Sequence, residues 1–269
     1  MKDIKSLFAA ENITEVAFAE AKNFSFIYKH LYPEHEVAGA IVFLIPYYYP
    51  PAYADGMNIS KYARAKDYHL FATEFYAKML PKLRQLMPSE SFTGCCDASP
   101  INEKIAAARA GLGVIGKNSL LINPKYGSYC FIGSILTSYR PEGVSDGEIE
   151  FCTGCKRCIA NCPGNALTEH GIDPEKCISA ITQKKRRTDE EMLLLKRLKA
   201  VWGCDVCQDV CPMNNNVAET PVEFFKTDIA LGITHEMIEQ MDDDEFKQRA
   251  FAWRGKKVIL QNIDNITEE

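Results

Sequence analysis

CTGCKRCIANCP (residues 152–163) and CDVCQDVCP (residues 204–212) decide how this chain is read, because they set seven cysteines and two prolines in short, regular registers. The first follows the C-x2-C-x2-C-x3-C-P run that wraps an iron-sulfur cube, in which the fourth cysteine serves the other cluster of a two-cluster protein. Two-residue gaps let a tight turn direct three thiolates at three corners of one cube, and Pro163 then turns the chain away. The second run has Val201 where a further cysteine would stand, so Cys177 completes the count. Cys152, Cys155, Cys158 and Cys211 are therefore assigned to one 4Fe-4S cluster, and Cys162, Cys177, Cys204 and Cys207 to the other. A structural zinc site needs only four ligands and does not call for the third cysteine of the first run.

Working outward, 269 residues with 46% hydrophobic and 25% charged side chains describe an ordinary globular chain of one large domain and one small one. The eleven cysteines come with no export signal, which argues for metal ligation in a reducing compartment rather than a disulfide framework. The first residues, MKDIKSLFAAENITE, mix charge with apolar side chains, and no window reaches the roughly 18 apolar residues of a spanning helix. A cytoplasmic protein without membrane contact is expected. A net charge of -5 gives no global attraction for nucleic acid, which leaves two local basic runs, Lys184, Lys185, Arg186 and Arg187, and Arg254, Lys256 and Lys257.

Ahead of the cysteines, residues 38–50 (AGAIVFLIPYYYP) read as a buried strand and residues 128–137 (SYCFIGSILT) as a second. Residues 66–87 carry apolar side chains at helical spacing, with Pro81 expected to kink or split the helix. A further helix is expected from Ile101, ending near Gly111 or Gly113. Alternating strands and helices suggest an α/β or α+β layer structure. The polar stretch PEGVSDGEIE from 141 marks a boundary, giving units at 1–145, 146–216 and a helical 217–269. Gly111, Gly113 and Gly116 have G-x-G-x-x-G spacing, but they follow a helix instead of a strand, so a dinucleotide loop is rejected.

An electron carrier would not need the residues that precede the clusters, so that surplus implies a substrate or cofactor site. From residue type alone, Asp97 reads as an N-cap of the helix that follows it. Cys95, Cys96 and Cys130 read as small buried hydrophobes. Arg64, Asp67, Tyr68 and His69 read as a charged, capped helix start.

Several segments change the weight of those readings: SKYARAKDYH (60–69), CDASPINEKIAAARAGLGVIGKNSLLI (96–122), YGSYCFIGSILT (126–137), the cysteine runs with KCISAIT, and AWRGKKVILQN. In order along most of the chain, they resemble the epoxyqueuosine reductases, cobalamin-dependent iron-sulfur enzymes that finish queuosine in tRNA. The resemblance implies a nitroreductase-like cobalamin-binding layer followed by a dicluster ferredoxin-like module and a short helical segment. The family motif V-D-T-G-P falls on Cys96-Asp97-Ala98-Ser99-Pro100, so Asp97 inherits the role of general acid while three of its neighbours differ. It also implies cobalamin contacts at Arg64, Asp67, Tyr68, Lys117, Asn118, Leu121, Ser128 and Ile132. Opening an epoxide reductively takes two electrons and a proton, and Asp97 would have to hold that proton at neutral pH. The implied partners of what would be a monomer are tRNA and a low-potential electron donor such as a ferredoxin or flavodoxin. Longer family members continue into helical repeats that help grip tRNA; the sequence read here is of the short form without them. Two rivals stay open at this level: a corrinoid enzyme acting on another substrate, in the manner of a reductive dehalogenase or a corrinoid-protein activator, and a non-enzymatic dicluster carrier.

Overall fold

In the computed structural model, which describes residues 1–50, 58–142, 144 and 147–267, the chain is a mixture of helix and strand. Its first part runs α1 (Lys2–Ala9), β1 (Val16–Glu20), β2 (Gly39–Pro46), α2 (Tyr68–Leu86), β3 (Phe92–Cys96), α3 (Glu103–Arg109), the hairpin β4 (Val114–Ile115) and β5 (Leu121–Ile122), and β6 (Cys130–Thr137). The cysteine-bearing part follows with α4 (Arg157–Ala160), the hairpin β7 (Leu167–Thr168) and β8 (Gly171–Ile172), α5 (Ile178–Ile181), α6 (Asp189–Leu198) and α7 (Val206–Asp209). Three more helices close the chain: α8 (His235–Gln240), α9 (Asp243–Lys247) and α10 (Lys256–Thr267).

The apolar run expected as a strand from 38 to 50 forms β2, all eight of whose residues are buried. The reason is that both faces of the sheet are covered. Ile41, Phe43 and Ile45 pack with Phe8 of α1 and with Phe75, Met79 and Leu83 of α2, while Ala40, Val42 and Leu44 pack on the other face with Ala106 and Ala107 of α3. A strand covered on both sides reads as a continuous apolar run rather than an alternating one. The strand order is β1-β2-β6-β3 with every pairing antiparallel, so the layers are of the α+β kind. β2 and β6 lie at the centre. Gly133 of β6 is needed there, since a Cβ on it would come within 2.4 Å of the Phe43 ring.

Pro81 does not split α2, which runs unbroken from Tyr68 to Leu86. A proline removes one backbone hydrogen bond, and buried Met79 and Leu83 on either side hold the helix against the sheet. The helix expected from Ile101 starts two residues later, with Asn102 as its N-cap. Residues 145 and 146, where the first boundary was expected, lie outside the described residues. A second core joins Ile59 and Ala63 to Trp202 and to Ile238, Phe251, Ile259 and Ile263 of the C-terminal helices. Asn262 of α10 adds a polar tie by donating to the carbonyls of Thr182 and Val201, each at 2.8 Å.

Truncation of Phe43 to alanine empties the contact between α1, α2 and the sheet, with an expected loss of about 3–5 kcal/mol. Urea denaturation of cluster-loaded protein measures it.

Candidate active site and cluster framework

The eight cysteines stand near one another in the fold. Cys152, Cys155, Cys158 and Cys211 line one cavity together with Gly116, Lys117 and Asn118. Cys204 lies within electrostatic reach of Cys177 and Cys162, and Cys207 of Cys204 and Cys177. The first set takes three thiols from one run and Cys211 from the other, and the second takes Cys204 and Cys207 from one run with Cys162 and Cys177 from elsewhere, so neither can assemble unless the chain is folded back on itself. Among the described residues, no three His, Cys, Asp or Glu side chains converge on one point as ligands of a single metal ion would. Four thiols arranged around a space are the donor set that an iron-sulfur cube requires. Backbone amides already face the sulfurs: Lys117 N–H donates to Cys152 Sγ at 3.4 Å and Ala166 N–H to Cys162 Sγ at 3.3 Å. Such bonds tune cluster potential.

A buried polar clamp seats this module on the sheet domain. Ser128, two residues before β6, donates to Gln208 Oε1 at 2.9 Å, and its backbone N–H donates to Asn214 Oδ1 at 2.8 Å. Asn214 returns two bonds of 2.8 Å, to Ser128 Oγ and the Gln208 carbonyl. Gly127 has φ +60°, and a Cβ there would sit 2.2 Å from Asn214 Oδ1, so only glycine lets the amide approach. Beside it, Asp205 accepts from Ser60 Oγ at 2.6 Å and from Lys61 N–H at 2.8 Å, while Asp209 accepts from Lys61 Nζ at 2.6 Å and Tyr129 OH at 2.9 Å. Gln208 falls between Cys207 and Cys211, which the spacing assigns to different clusters. The clamp therefore holds both of these cysteines near the strand end.

At that same end of the sheet lies Asp97. It is not the N-cap of α3; Asn102 takes that place, with its side chain accepting from Ile105 N–H. Asp97 instead follows β3 in the left-handed region at φ +61°, a conformation a non-glycine residue keeps only when its surroundings impose it. Glu103 Oε2 accepts from the Asp97 N–H at 3.2 Å while Glu103 Oε1 accepts from Ser134 Oγ at 2.7 Å. Burial pushes the Glu103 carboxyl up to about 8. The Asp97 carboxylate accepts from Tyr68 OH, and His69 Nε2 stands 3.6 Å from it. Asp67 caps α2 and holds His69 Nδ1 at 2.8 Å. The Tyr68 ring stacks on Phe131 of β6 at 3.9 Å between centroids. Desolvation first, and the neighbouring Asp97 second, push the Tyr68 phenol far above its usual range, so it stays a neutral donor.

Asp97 opens onto a cleft of about 410 Å³ whose walls include Leu121, Ser128, Phe131 and Ile132, with Ile27 and Tyr28 also among its lining residues. Lys104 and Asn102 add polar groups to it. The lining mixes apolar side chains with polar ones, among them Ser99, Glu103 and Ser128, so it offers a ligand both flat apolar wall and hydrogen-bonding groups. Of the residues named from sequence, Asp97, Leu121, Ser128 and Ile132 meet at this cleft, and Tyr68 touches it through Asp97. Lys117 and Asn118 line the first cluster's cavity instead. Arg64 faces a separate cavity of about 430 Å³ shared with Lys61, Cys204 and Asp205. Cys95 is buried, as expected, and its thiol is pushed up to about 11, while Cys96 and Cys130, expected to be buried, are only half-buried and Cys130 lines the cleft; desolvation raises both thiols as well. Glu103 and the Ser128–Gln208–Asn214 clamp went unseen in the sequence, where an acidic residue in a first helical turn reads as a dipole complement.

Residues 151–214 match the family model of a 4Fe-4S double cluster binding domain. An epoxyqueuosine reductase of Leadbetterella byssophila is 37% identical over 87% of this chain and 76% of its own length. Another, from Cyclobacterium marinum, is 31% identical over 88% and 80%. A crystal structure of an epoxyqueuosine reductase with an epoxyqueuosine-modified tyrosine tRNA stem loop superposes with a TM-score of 0.81 at 21% identity, over 98% of this chain and 80% of that one. A reductive dehalogenase structure, described as suggesting a mechanism for B12-dependent dehalogenation, gives a TM-score of 0.54 at 20% identity, over 98% of this chain and 37% of that one.

Replacing Cys177 by serine removes one corner of one cube only. Reconstituted protein should fall from about eight irons per chain to about four, as read by iron analysis and by the spin count of the reduced clusters. Retention of the full iron content would contradict the assignment.

Proposed function

Since the chain belongs to the epoxyqueuosine reductase family, we propose that it performs that family's reaction, removing the epoxide oxygen of epoxyqueuosine in tRNA, with two 4Fe-4S clusters feeding cobalamin in the cleft beside Asp97. The observation that carries the reading is a coincidence of place: Ser128 both lines the Asp97 cleft and anchors the helix that carries Cys207, inside the double-cluster domain. Electrons and proton arrive at one end of one sheet.

Leu121, Phe131 and Ile132 offer apolar wall to the macrocycle, with Ser128 and Lys104 as polar contacts. Bound cobalamin supplies the strong reductant toward strained carbon, chemistry that belongs to the cofactor. The chain's own residues do the rest. Asp97 gives its proton to the departing oxygen. Tyr68 orients the carboxyl through its hydroxyl, and Glu103 holds the loop by the Asp97 N–H.

For the RNA, exposed Lys185, Arg186 and Lys257 are the phosphate contacts we favour. Lys184 is already occupied by Glu175 at 3.0 Å and Glu191 at 2.7 Å. Exposure of Cys155 supports entry of electrons at the first cluster, from a carrier of the ferredoxin or flavodoxin kind. No helix among the described residues is long and apolar enough to cross a membrane.

The test is anaerobic turnover of a stem-loop RNA carrying epoxyqueuosine by the full chain reconstituted with iron, sulfide and cobalamin, with nucleosides identified by mass spectrometry. Wild type forms queuosine, and Asp97→Asn lowers kcat by about 10²- to 10⁴-fold while RNA affinity holds. Intact clusters and bound cobalamin without any queuosine would overturn the assignment.

A further inference from the structure

Removing an epoxide oxygen as water consumes two electrons and two protons: one proton as the first C–O bond breaks and an O–H bond forms, a second as the hydroxyl leaves as water and the C=C bond forms. A single carboxyl carries one proton. On the reading proposed above, Asp97 must therefore be reloaded within each turnover, while RNA and cofactor cover its carboxyl, and a group beside it then has to connect it to solvent.

Three side chains bear on Asp97. Tyr68 donates to the carboxylate, but its phenol is held neutral and cannot give its proton away near pH 7. Glu103 is half-buried and lines the cleft too, but its two carboxyl oxygens accept from the Asp97 backbone N–H and from Ser134 Oγ. His69 differs from both. Its side chain is 52% exposed, its Nε2 lies 3.6 Å from Asp97 Oδ2, and its Nδ1 is fixed by Asp67 Oδ1 at 2.8 Å. The arrangement orders Asp67, His69 and Asp97 in a line from a helix cap to the cleft. The Asp97 side chain is itself 60% exposed, so a small rotation or one water closes the gap.

We propose that His69 is the proton relay that recharges Asp97 between the two protonations, with Asp67 holding the ring so that Nε2–H faces the acid. After Asp97 gives its first proton, the imidazolium passes Nε2–H to the carboxylate, and the neutral ring, still donating from Nδ1 to Asp67, regains a proton from solvent. Electrons come from the reduced clusters, and nothing else is oxidised or reduced in the relay. The charged groups acting on the ring are Asp67 on its own helix start and Asp97 from the loop after β3, and both favour the cation. The hydrogen bond to Asp67 is the largest influence and outweighs desolvation, raising His69 above its usual range. The sign follows: the relay works while the ring is protonated and fails as pH rises through that raised value.

His69→Gln should lower kcat by roughly ten- to a hundredfold, leave KM for the stem-loop RNA unchanged, and remove the alkaline fall of the wild-type pH profile. His69→Ala should regain activity with added imidazole, more strongly as pH falls and imidazolium grows. Asp67→Asn keeps the cap but weakens the ring contact, so its profile should shift toward lower pH. Titration of the five histidines by NMR in the cluster-loaded chain should find the His69 ring titrating above the usual range, and lower in Asp67→Asn. The relay is overturned if wild type makes queuosine while His69→Gln keeps its kcat and pH profile, or if His69→Ala ignores imidazole. Absence of queuosine from wild type would instead bring down the underlying reading.

Discussion

Everything at the cleft depends on the buried amide and hydroxyl groups that seat Gln208 and Asn214 against Ser128. Each such bond contributes only about 1 kcal/mol net, yet leaving one buried partner unsatisfied costs about 1–3 kcal/mol. That asymmetry makes the network specific. A module rotated or slid on the sheet would strand several buried amides, so a single docking is stable. The cluster module is thereby held at one strand end by side-chain bonds as well as by the chain that joins the two parts.

The same strand end gathers the chemistry. β3 delivers Asp97, β6 delivers Phe131 and Ile132, and α2 begins there with Asp67, Tyr68 and His69. Asp97 sits at a positive φ because Glu103, anchored to Ser134, holds its N–H from below. Backbone strain at this one residue turns a carboxyl that could have capped a helix out toward the cleft. Tyr68 and His69 then meet it from the opposite side.

What was legible in the sequence was local. Cysteine spacing within a few residues is dictated by the size of a cube, so a double-cluster domain was legible there, and the ligand sets, with Cys177 added by counting, are an assignment from spacing. β2 and α2 were legible from their apolar patterns, although the patterns could not tell that Pro81 would be carried inside an intact helix. Asp97 was ambiguous because an aspartate just ahead of a helix reads as its N-cap, and only coordinates show that Asn102 is the residue that caps. The clamp, the Glu103 anchor and the approach of His69 to Asp97 join residues distant along the chain, and no local pattern announces them. The family resemblance named Asp97 but gave no account of what reloads it.

The central claim is that cluster electrons are spent on the RNA epoxide at the Asp97 cleft. Its most direct measurement is an anaerobic titration in which the full chain, holding both clusters and cobalamin, receives counted reducing equivalents in the presence of epoxyqueuosine stem-loop RNA. The account predicts one queuosine for every two electrons consumed. Clusters that oxidise again while the RNA stays unchanged would contradict it.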